Sequence, residues 1–414
     1  MPTPLTYQAA LDDIFTSYMQ AKPQHKGKFD REFRNPAILV SLAENLGLLP
    51  QAPQTIRITG SKGKGTTSRL TARYLTALSS ESSVGLMVSP EDLDHTDRMQ
   101  VNGAEISKTE FSSIYTALQP DLHAALARLP EGGYLSPSGL FMLVALAWFK
   151  QRQVDFYVLE TGRGALFDEV GQIPSAVSVV TSIFLEHPAN LGPGLDDIAR
   201  DKLSIAQTSG TLVCPPEVMA AYPALVGANC TPLAKPAQFP DHPGWFSRNE
   251  QLARTAASVF LDRTVSRKAS AQINLSSPSF GWIRYRNCTI CYEAIINTMS
   301  ADTALYENKL LGAKTVVLAS LPDDKDRKNL LATFKAFSPR VYEVALSGTR
   351  GYLNYAETAE GNNLVATFAF GDITAMRDLL DSIIEREAPE TLYIAGTQTY
   401  VRLFKLAMGD LYSR

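Results

Sequence analysis

The stretch Ile58-Thr59-Gly60-Ser61-Lys62-Gly63-Lys64-Gly65-Thr66-Thr67 decides the fold of this chain. It follows an apolar run, Thr55–Thr59, that is typical of a buried strand, and it precedes a helical pattern of Leu70, Tyr74, Leu75 and Leu78. Glycines let backbone N–H groups approach phosphate oxygens, and a helix N-terminus attracts negative charge. The stretch therefore predicts a phosphate-binding loop. In that loop Lys64 adds a positive charge near the terminal phosphate, and the Thr66 or Thr67 hydroxyl meets Mg²⁺ or phosphate.

The spacing of this loop differs from that of most P-loops, which read Gly-x4-Gly-Lys-[Ser/Thr]. Here Gly60 lies four residues before Lys64, and Gly65 separates Lys64 from Thr66. A plain glycine-rich turn is the alternative interpretation. The strand before the loop and the helical pattern after it favour the phosphate site.

Apolar runs alternate with helical patterns, which indicates a mostly parallel sheet covered on both faces. The predicted strands are Thr55–Thr59, Phe156–Glu160, Ala176–Ile183, Thr315–Ala319, Arg340–Val344 and Thr391–Ala395. Later helices are predicted at Asn249–Leu261, Asp326–Ala336 and Ile373–Arg386. Two sets of strands predict two α/β domains, 1–276 and 277–414. The turn-rich stretch Pro215–Pro243 is predicted to run over the surface of the first domain.

Composition excludes several classes of protein. The 414 residues carry 39 Lys plus Arg and 42 Asp plus Glu, a net charge of −3, which argues against a broad nucleic-acid or anionic-membrane surface. No secretory leader is visible, and Leu140–Phe149 is too short to span a bilayer. Four cysteines in so long a chain point to the cytoplasm. Cys288 and Cys291 lie in a predicted strand, Tyr285–Tyr292, and face opposite sides, so packed thiols are favoured over zinc.

Three polar residues lie near the ends of predicted strands or in a helix that follows. Glu160 ends the strand Phe156–Glu160, at the edge where parallel sheets bind ligands, and its carboxylate suits Mg²⁺. An N-cap or surface glutamate is the alternative. His187 follows the next strand, and Lys202 lies in a helical segment. Taken alone, they are more typical of a capping or packing histidine and an exposed helix lysine.

Together, these segments resemble the folylpolyglutamate synthases, which belong to the Mur ligase superfamily. Gly60–Thr67 resembles the GTNGKGS loop of that family. The likeness continues collinearly over nearly the whole chain, and its further segments are Val88-Ser89-Pro90, Thr96-Asp97-Arg98, Val101-Asn102-Gly103, Val158–Gly162 (like VLEVG), Gly164–Asp168, Thr181–His187 (like TSIGLDH) and Leu191–Lys202. Asn249, Asp324, Lys325 and Asp326 fit later and less specific motifs.

The resemblance implies a role for each matching residue. The residues implied to hold ATP are Gly60, Ser61, Lys62, Gly63, Lys64, Gly65, Thr66, Thr67, Asn249 and Glu293. The implied magnesium-binding residues are Thr66, Ser89, Glu160, His187 and, if it is carbamylated, Lys202. The implied catalytic residues are Lys64, His187 and Lys202.

The resemblance also implies a fold and a reaction. The fold is α/β, with a Mur-ligase-type P-loop ATPase domain built on a parallel sheet and a smaller Rossmann-like C-terminal domain. ATP phosphorylates a small-molecule carboxylate, an amine attacks the acyl-phosphate, and an amide and phosphate are released. ATP and Mg²⁺ are the expected cofactors, and the protein is expected to be a cytoplasmic monomer.

The chain departs from the family where nucleotide contacts of the second domain and substrate contacts are expected. The histidine of the family's SPH is Glu91, and the Phe-Glu of its TFFE stretch is Ser138-Gly139. Other changes replace charged or polar residues: Leu166 for the arginine of GGRLDATN, Phe280 for that of PGR, and Glu293 and Ile296 for the Asp and His of DGAHNP.

Four functions remain open at this point. An amide ligase for a non-folate carboxylate in specialised biosynthesis is the main hypothesis, and a folylpolyglutamate synthase with a drifted C-terminal half is the second. A nucleotide-binding protein that no longer ligates is the third, which Lys64, Glu160, His187 and Lys202 together disfavour. A P-loop NTPase that couples hydrolysis to motion is the fourth, which the likeness along the whole chain disfavours.

Overall fold

The computed structural model describes two compact units, each built on its own sheet. The described residues are 4–227, 230–232, 244–266, 273, 277–295, 297–302, 305, 311–323, 325–348, 353, 355, 364–369 and 371–411. Unit 1 comprises Met1–Ala237 and Phe246–Leu275, and unit 2 comprises Gln238–Trp245 and Ser276–Arg414. Trp245, which the sequence places in the first domain, belongs to unit 2. Its backbone N–H donates to Asp302 Oδ2 (3.1 Å) and its indole N–H to the Ala301 carbonyl (3.2 Å).

Unit 1 has an eight-stranded mixed sheet in the order β4-β3-β2-β5-β1-β6-β7-β8. In this order, the six neighbouring strands β2, β5, β1, β6, β7 and β8 run parallel to one another. Strands β3 and β4 add an antiparallel edge. The bounds are β1 Thr55–Thr59, β2 Val84–Met87, β3 Met99–Val101, β4 Ala104–Glu105, β5 Phe156–Glu160, β6 Ser175–Val180, β7 Ser209–Cys214 and β8 Cys230–Pro232. The predicted mostly parallel sheet is confirmed.

Helices cover both faces of this sheet. They are α1 Tyr7–Ala21, α2 Ala37–Asn45, α3 Lys64–Leu78, α4 Lys108–Leu126, α5 Pro137–Gln151, α6 Glu169–Gln172, α7 Pro188–Leu191, α8 Leu195–Leu203, α9 Pro216–Ala221, α10 Pro223–Val226 and α11 Trp245–Phe260. Helix α5 is buried along nearly its whole length, as its continuous apolar run predicts, and its first turn is capped by Ser136, which accepts from the Gly139 N–H. Helices α3 and α11 pack together against the opposite face.

Strand β6 ends earlier than predicted, at Val180 instead of Ile183. The chain leaves the sheet because the next residues bind the phosphate loop. Thr181 Oγ1 donates to the Lys62 carbonyl (2.7 Å), and Ser182 Oγ accepts from the Lys62 N–H (2.9 Å). These hydroxyl contacts link the end of β6 to the loop after β1.

Unit 2 has a six-stranded sheet in the order β13-β12-β11-β14-β10-β9, parallel except for β9. The strands are β9 Phe280–Tyr285, β10 Cys288–Ala294, β11 Thr315–Ser320, β12 Val341–Ser347, β13 Leu364–Ala369 and β14 Thr391–Gly396. Its helices include α12 Arg327–Phe337, α13 Ile373–Glu387 and α14 Gln398–Met408.

The single strand predicted at Tyr285–Tyr292 is wrong, because β9 and β10 form a hairpin that turns at Arg286, where φ is 53°. Cys288 packs in the apolar cluster on one face of the sheet, and Cys291 packs in the cluster on the other face. The two thiols therefore point away from each other, as alternation along a strand requires.

No helix among the described residues is both long enough and apolar enough to cross a membrane.

Candidate nucleotide and metal site

Four parallel strands of unit 1 bring the predicted site residues to one edge of the sheet. Strands β2, β5, β1 and β6 are neighbours in that order. Their carboxyl ends lead to Ser89, to Glu160, to the loop that starts at Gly60 and to the segment that ends at His187. Ligands of open α/β sheets bind outside such carboxyl ends.

The phosphate loop has a backbone that only glycine adopts without strain. Gly60 has φ +138° and Gly63 has φ +92°. A Cβ at Gly60 would lie 2.0 Å from Thr181 Oγ1, and a Cβ at Gly63 would lie 2.1 Å from Asn249 Oδ1. Both glycines are therefore required by conformation and by space, and the side chain of Asn249 in α11 lies directly against the loop.

Lys64 is the first residue of α3, and its Nζ donates to the Gly60 carbonyl at 2.9 Å. This contact folds the lysine back over the loop. Burial lowers the pKa of Lys64, and the positive charge of Lys202 lowers it further, while Glu186 and Glu160 oppose both effects. Two lysines and two carboxylates thus act on one another around the loop.

Glu160 ends β5 and is only 2% exposed. Its Oε2 accepts from the Ser89 backbone N–H at 3.1 Å, and its carboxylate faces Gly65. Burial raises the pKa of Glu160 to about 7, although the charge of Lys64 works in the opposite direction. A carboxylate kept from water with so few donors is suited to a bound cation.

Buried polar atoms beside the loop fit a phosphate and a divalent cation. Thr67 Oγ1, Ser68 Oγ and Asn249 Oδ1 have no hydrogen-bond partner within the part of the chain that the structure describes. Buried polar groups are normally paired, so these atoms indicate a polar ligand. Together with the Glu160 carboxylate they offer the oxygen atoms that Mg²⁺ and its phosphates require. Thr66, also predicted to bind the metal, is 5% exposed in the same turn of α3.

His187 lies directly before α7, as its N-cap residue, and has a left-handed backbone with φ 46° and ψ 46°. A non-glycine residue in this conformation is uncommon and often marks a functional site. Its side chain is 33% exposed, and its Nε2 lies 3.8 Å from Glu186 Oε2. Proximity of His187 to Glu160 stays a prediction.

Lys202 in α8 is fully buried, contrary to the exposed helix lysine that its sequence context alone suggests. Its Nζ donates to the carbonyls of Gly60 (3.1 Å) and Arg163 (3.3 Å), and it lies 2.7 Å from Glu186 Oε1. Sequence reasoning missed Glu186. The available signal was its place directly before His187 in a motif that already matched.

The two further nucleotide residues lie in different units. Asn249 is 4% exposed beside the phosphate loop of unit 1. Glu293 is buried inside unit 2, where it accepts from the Asp302 N–H (2.8 Å) and the Tyr393 hydroxyl (2.6 Å). A nucleotide contact by Glu293 would have to compete with these bonds. Asp324 and Ile296 lie outside the described residues.

Ser138 and Gly139, which replace the family's Phe-Glu pair, lie near the Glu169 carboxylate. A Cβ at Gly139 would lie 2.7 Å from Glu169 Cδ, so the Glu169 side chain occupies the space next to this glycine. Glu169 accepts from Ser136 Oγ (2.5 Å) and pairs with Arg34 (3.3 Å). Arg34, Tyr134, Ser136 and Glu169 line part of a small cavity at this point.

Glu91 does not present a free negative charge. Its Oε2 accepts from Arg98 Nε at 2.9 Å and lies 3.2 Å from His95 Nδ1. The guanidinium of Arg98 in turn stacks over Phe141 at 4.2 Å. The negative charge that replaces the family's histidine at this position is therefore offset by Arg98.

Comparison with known proteins shows what the chain is similar to. The dihydrofolate synthase/folylpolyglutamate synthase of Escherichia coli (strain K12) is 34% identical over 164 residues, which are 40% of this chain and 36% of that protein. The matched part thus spans less than half the length of this relative. No protein-family model matches the chain.

Solved structures match over a larger part of the chain. Folylpolyglutamate synthase of Mycobacterium tuberculosis, solved with ADP and AMPPCP, has a TM-score of 0.75 at 19% identity and covers 96% of this chain and 99% of its own. A bifunctional folylpolyglutamate synthase/dihydrofolate synthase, solved with Mn, AMPPNP and L-glutamate, has a TM-score of 0.72 at 24% identity, with 91% and 94% covered. The chain has the two-domain α/β fold of these Mur-ligase-type proteins. It resembles folylpolyglutamate synthases in both sequence and fold.

The raised pKa of Glu160 predicts how pH acts on stability in metal-free protein. The folded state holds this proton up to about pH 7, whereas the ordinary value is 4.5. The contribution of this proton to the free energy of unfolding is therefore fully present below pH 4.5 and is lost as pH rises through 7. The total loss is ~3 kcal/mol. Glu160→Gln should abolish this loss and be the more stable protein at pH 8, as measured by urea unfolding in EDTA. At pH 4 the two proteins should differ little in stability. The same change of unfolding free energy with pH in both proteins would contradict a raised pKa at Glu160.

Proposed function

We propose that this chain is an ATP-dependent carbon–nitrogen ligase of the folylpolyglutamate synthase/dihydrofolate synthase type, which adds an amino acid to a folate-class carboxylate. The single observation that carries the proposal is the set of polar groups gathered around the glycine loop: half-buried Lys64 and buried Glu160 and Lys202. The relatives' names and the fold support the same reaction class.

The proposed reaction has two steps. An oxygen of the acceptor carboxylate attacks the γ-phosphorus of ATP, the bond to the β-phosphate oxygen breaks, and ADP leaves. The amine nitrogen then attacks the acyl-phosphate carbon, the nitrogen loses a proton, and phosphate leaves from the tetrahedral species. Each step spreads or moves negative charge on phosphate oxygens, so positioning and charge stabilisation are what the protein supplies.

The residues of unit 1 divide these tasks. The N–H groups of the loop and of the first turn of α3 are proposed to donate to the phosphates, and Lys64 is proposed to stabilise the negative charge that develops on them. Thr66, Ser89, Glu160 and His187 are the proposed residues that hold Mg²⁺, which supplies charge neutralisation to phosphate when bound. Asn249 is proposed to contact the nucleotide from α11.

We also propose that the chain acts as a cytoplasmic monomer on small molecules only. The net charge of −3 supports small-molecule substrates, the four cysteines support the cytoplasm, and the family resemblance alone supports the monomer.

A panel of acceptors tests the proposed function. With ATP, Mg²⁺ and L-glutamate, we expect dihydropteroate, dihydrofolate or tetrahydrofolate to give phosphate release together with a product one glutamate heavier. Product mass and phosphate are measured together, and the Glu160→Ala protein is the control for contaminating ATPase. Phosphate release with no ligated product from any carboxylate offered would contradict a ligase.

A ligase for a non-folate carboxylate is the second candidate, and the acceptor-side residues favour it. Ser138 and Gly139 stand where the family has Phe and Glu, and the Glu169 carboxylate fills the space beside Gly139. A cavity lined by Arg34 and Glu169 selects differently from one that has an aromatic ring at position 138. Turnover of other carboxylates in the same panel, with poor turnover of all three folates, would decide for this candidate.

A further inference from the structure

We propose that Arg34 is a specificity-determining residue, whose guanidinium fills the carboxylate-lined end of the cavity beside Glu169. It thereby excludes from this end any acceptor group that carries a guanidinium, an amidinium or a similarly donor-rich edge. The inference rests on the proposed function only in taking this cavity as part of the acceptor site.

The cavity adjoins the segment that leaves β5 after Glu160. Glu169 begins α6, and the residue before it, Asp168, accepts from the Gly162 N–H at 3.0 Å, two residues after the end of β5. Ser136, also in the lining, caps the first turn of α5, where the family's Phe-Glu pair is absent. The cavity therefore lies between a segment that begins at a proposed metal residue and a turn in which acceptor contacts are expected.

Arg34 pairs with three buried carboxylates at once. Its guanidinium nitrogens lie 3.3 Å from Glu169 Oε2, 3.7 Å from Asp168 Oδ2 and 3.8 Å from Asp30 Oδ2. Asp30 has a second cation, Arg163, whose Nε donates to it at 3.1 Å. Within the part of the chain that the structure describes, Asp168 and Glu169 pair with no cation other than Arg34. Their charges are therefore balanced only as long as Arg34 stays in place.

Charge and shape decide which group can take the place of Arg34. Buried carboxylates need a cation or hydrogen-bond donors, because an uncompensated buried charge is costly. A planar guanidinium or amidinium donates to several carboxylate oxygens from a fixed fork, which an ammonium does not reproduce. Since Arg34 supplies that fork from the chain itself, an acceptor with the same kind of edge meets carboxylates that are already paired.

The substitution at position 138 belongs to the same arrangement. Ser138 stands where the family has Phe, and its hydroxyl lies 3.5 Å from an Nη of Arg34. A phenylalanine has no acceptor for this contact. The other lining side chains include the Tyr134 ring and the aliphatic Ile38 and Leu39. An acceptor is therefore expected to place an uncharged, partly apolar group in the remaining space.

Chemical rescue of the full chain tests whether Arg34 is the occupant. For Arg34→Ala we expect a lower Tm, which methylguanidine at about ten times its Kd raises by roughly 3 °C. Methylurea, which has a similar shape without the charge, is the matched ligand control and should have no effect. Arg31→Ala removes the same group from an exposed position three residues earlier, and neither this variant nor the original protein should respond.

Refolding from urea replaces the melting experiment if Arg34→Ala does not fold alone. The folded fraction should then rise with methylguanidine and not with methylurea. Adding Glu169→Gln to Arg34→Ala should weaken the response, because one of the carboxylates is lost. No response to methylguanidine, an equal response to methylurea, or an equal response of Arg31→Ala would overturn the role of Arg34.

Competition in the ligation assay tests the link to specificity. In Arg34→Ala, methylguanidine at the same concentration should raise the KM for the acceptor about tenfold and leave kcat unchanged, whereas the original protein should show neither change. An unchanged KM in a variant that binds methylguanidine would place the cavity outside the acceptor site and overturn the specificity role. Absence of ligation with every acceptor offered would refute the proposed function and with it that role, while the melting experiment would still decide whether Arg34 fills the cavity.

Discussion

Replacing Lys64 with alanine is expected to lower the rate of ATP-dependent ligation by about a hundredfold to a thousandfold while the protein stays folded. The Lys64 Nζ donates to the Gly60 carbonyl within the loop that we propose binds phosphate. Loss of a charge aimed at the developing negative charge is costly where water is excluded. The measurement is amide formation per unit time at saturating ATP, acceptor and amine.

Lys62→Ala is the comparison for this experiment. Lys62 lies in the same loop, and its backbone bonds to Ser182 and Thr181 would remain in the alanine variant. Its replacement should have the smaller effect. A folded Lys64→Ala protein with near-normal turnover would show that Lys64 does not take part in the reaction.

Replacing Arg57 with alanine is expected to lower the free energy of unfolding by roughly 3–5 kcal/mol. Arg57 lies in the middle of β1 and is fully buried. Its guanidinium donates to Ser175 Oγ (3.0 Å), Ser178 Oγ (3.1 Å) and the carbonyls of Gly171 (2.7 Å) and Ile205 (2.9 Å). The variant would leave a cavity and buried carbonyls without donors.

Urea unfolding of the full chain measures this loss, and hydrogen exchange in β1 and β6 assigns it to unit 1. Arg31→Ala, at an exposed arginine that stacks over Phe29, is the control and should change stability little. Arg57→Lys should lie between the two, because an ammonium cannot reach all four acceptors. A change below about 1 kcal/mol for Arg57→Ala would show that its hydrogen bonds contribute little net stability.

Local patterns were enough to predict the parts of this molecule that depend on neighbouring residues. The bounds of β1 and β5 agree with prediction because each is a short run rich in β-branched or aromatic residues. Each is followed by a glycine-containing loop. The phosphate loop was predicted because its glycines, its lysine and its flanking elements are contiguous. A family resemblance then added the residues at the ends of separate strands, whose roles remain predictions.

Contacts between residues far apart in the chain could not be predicted from the sequence, for a physical reason. Lys202 and Gly60 are 142 positions apart, and nothing in a helical segment with alternating charges shows that one lysine faces inward. The partnership of Glu91 with Arg98 was missed as well, although the two lie close together, because a loop without regular structure gives no periodicity from which to place side chains. The turn between β9 and β10 was missed because both strands share one apolar alternation.

The close fit of Gly139 against Glu169 restricts the order in which these two positions can change. Any larger residue at 139 meets the Glu169 side chain and also Leu39, whose Cδ1 lies 2.5 Å from the Cβ position. It is therefore acceptable only after both neighbours have become smaller or have shifted. The reverse step, shortening Glu169 first, removes its bonds to Ser136 and Arg34, but Asp30 and Asp168 still pair with Arg34 at 3.8 and 3.7 Å. In evolution or in a directed-evolution experiment, the substitution that makes room must therefore come before the larger residue at position 139. Screening position 139 alone would miss this combination.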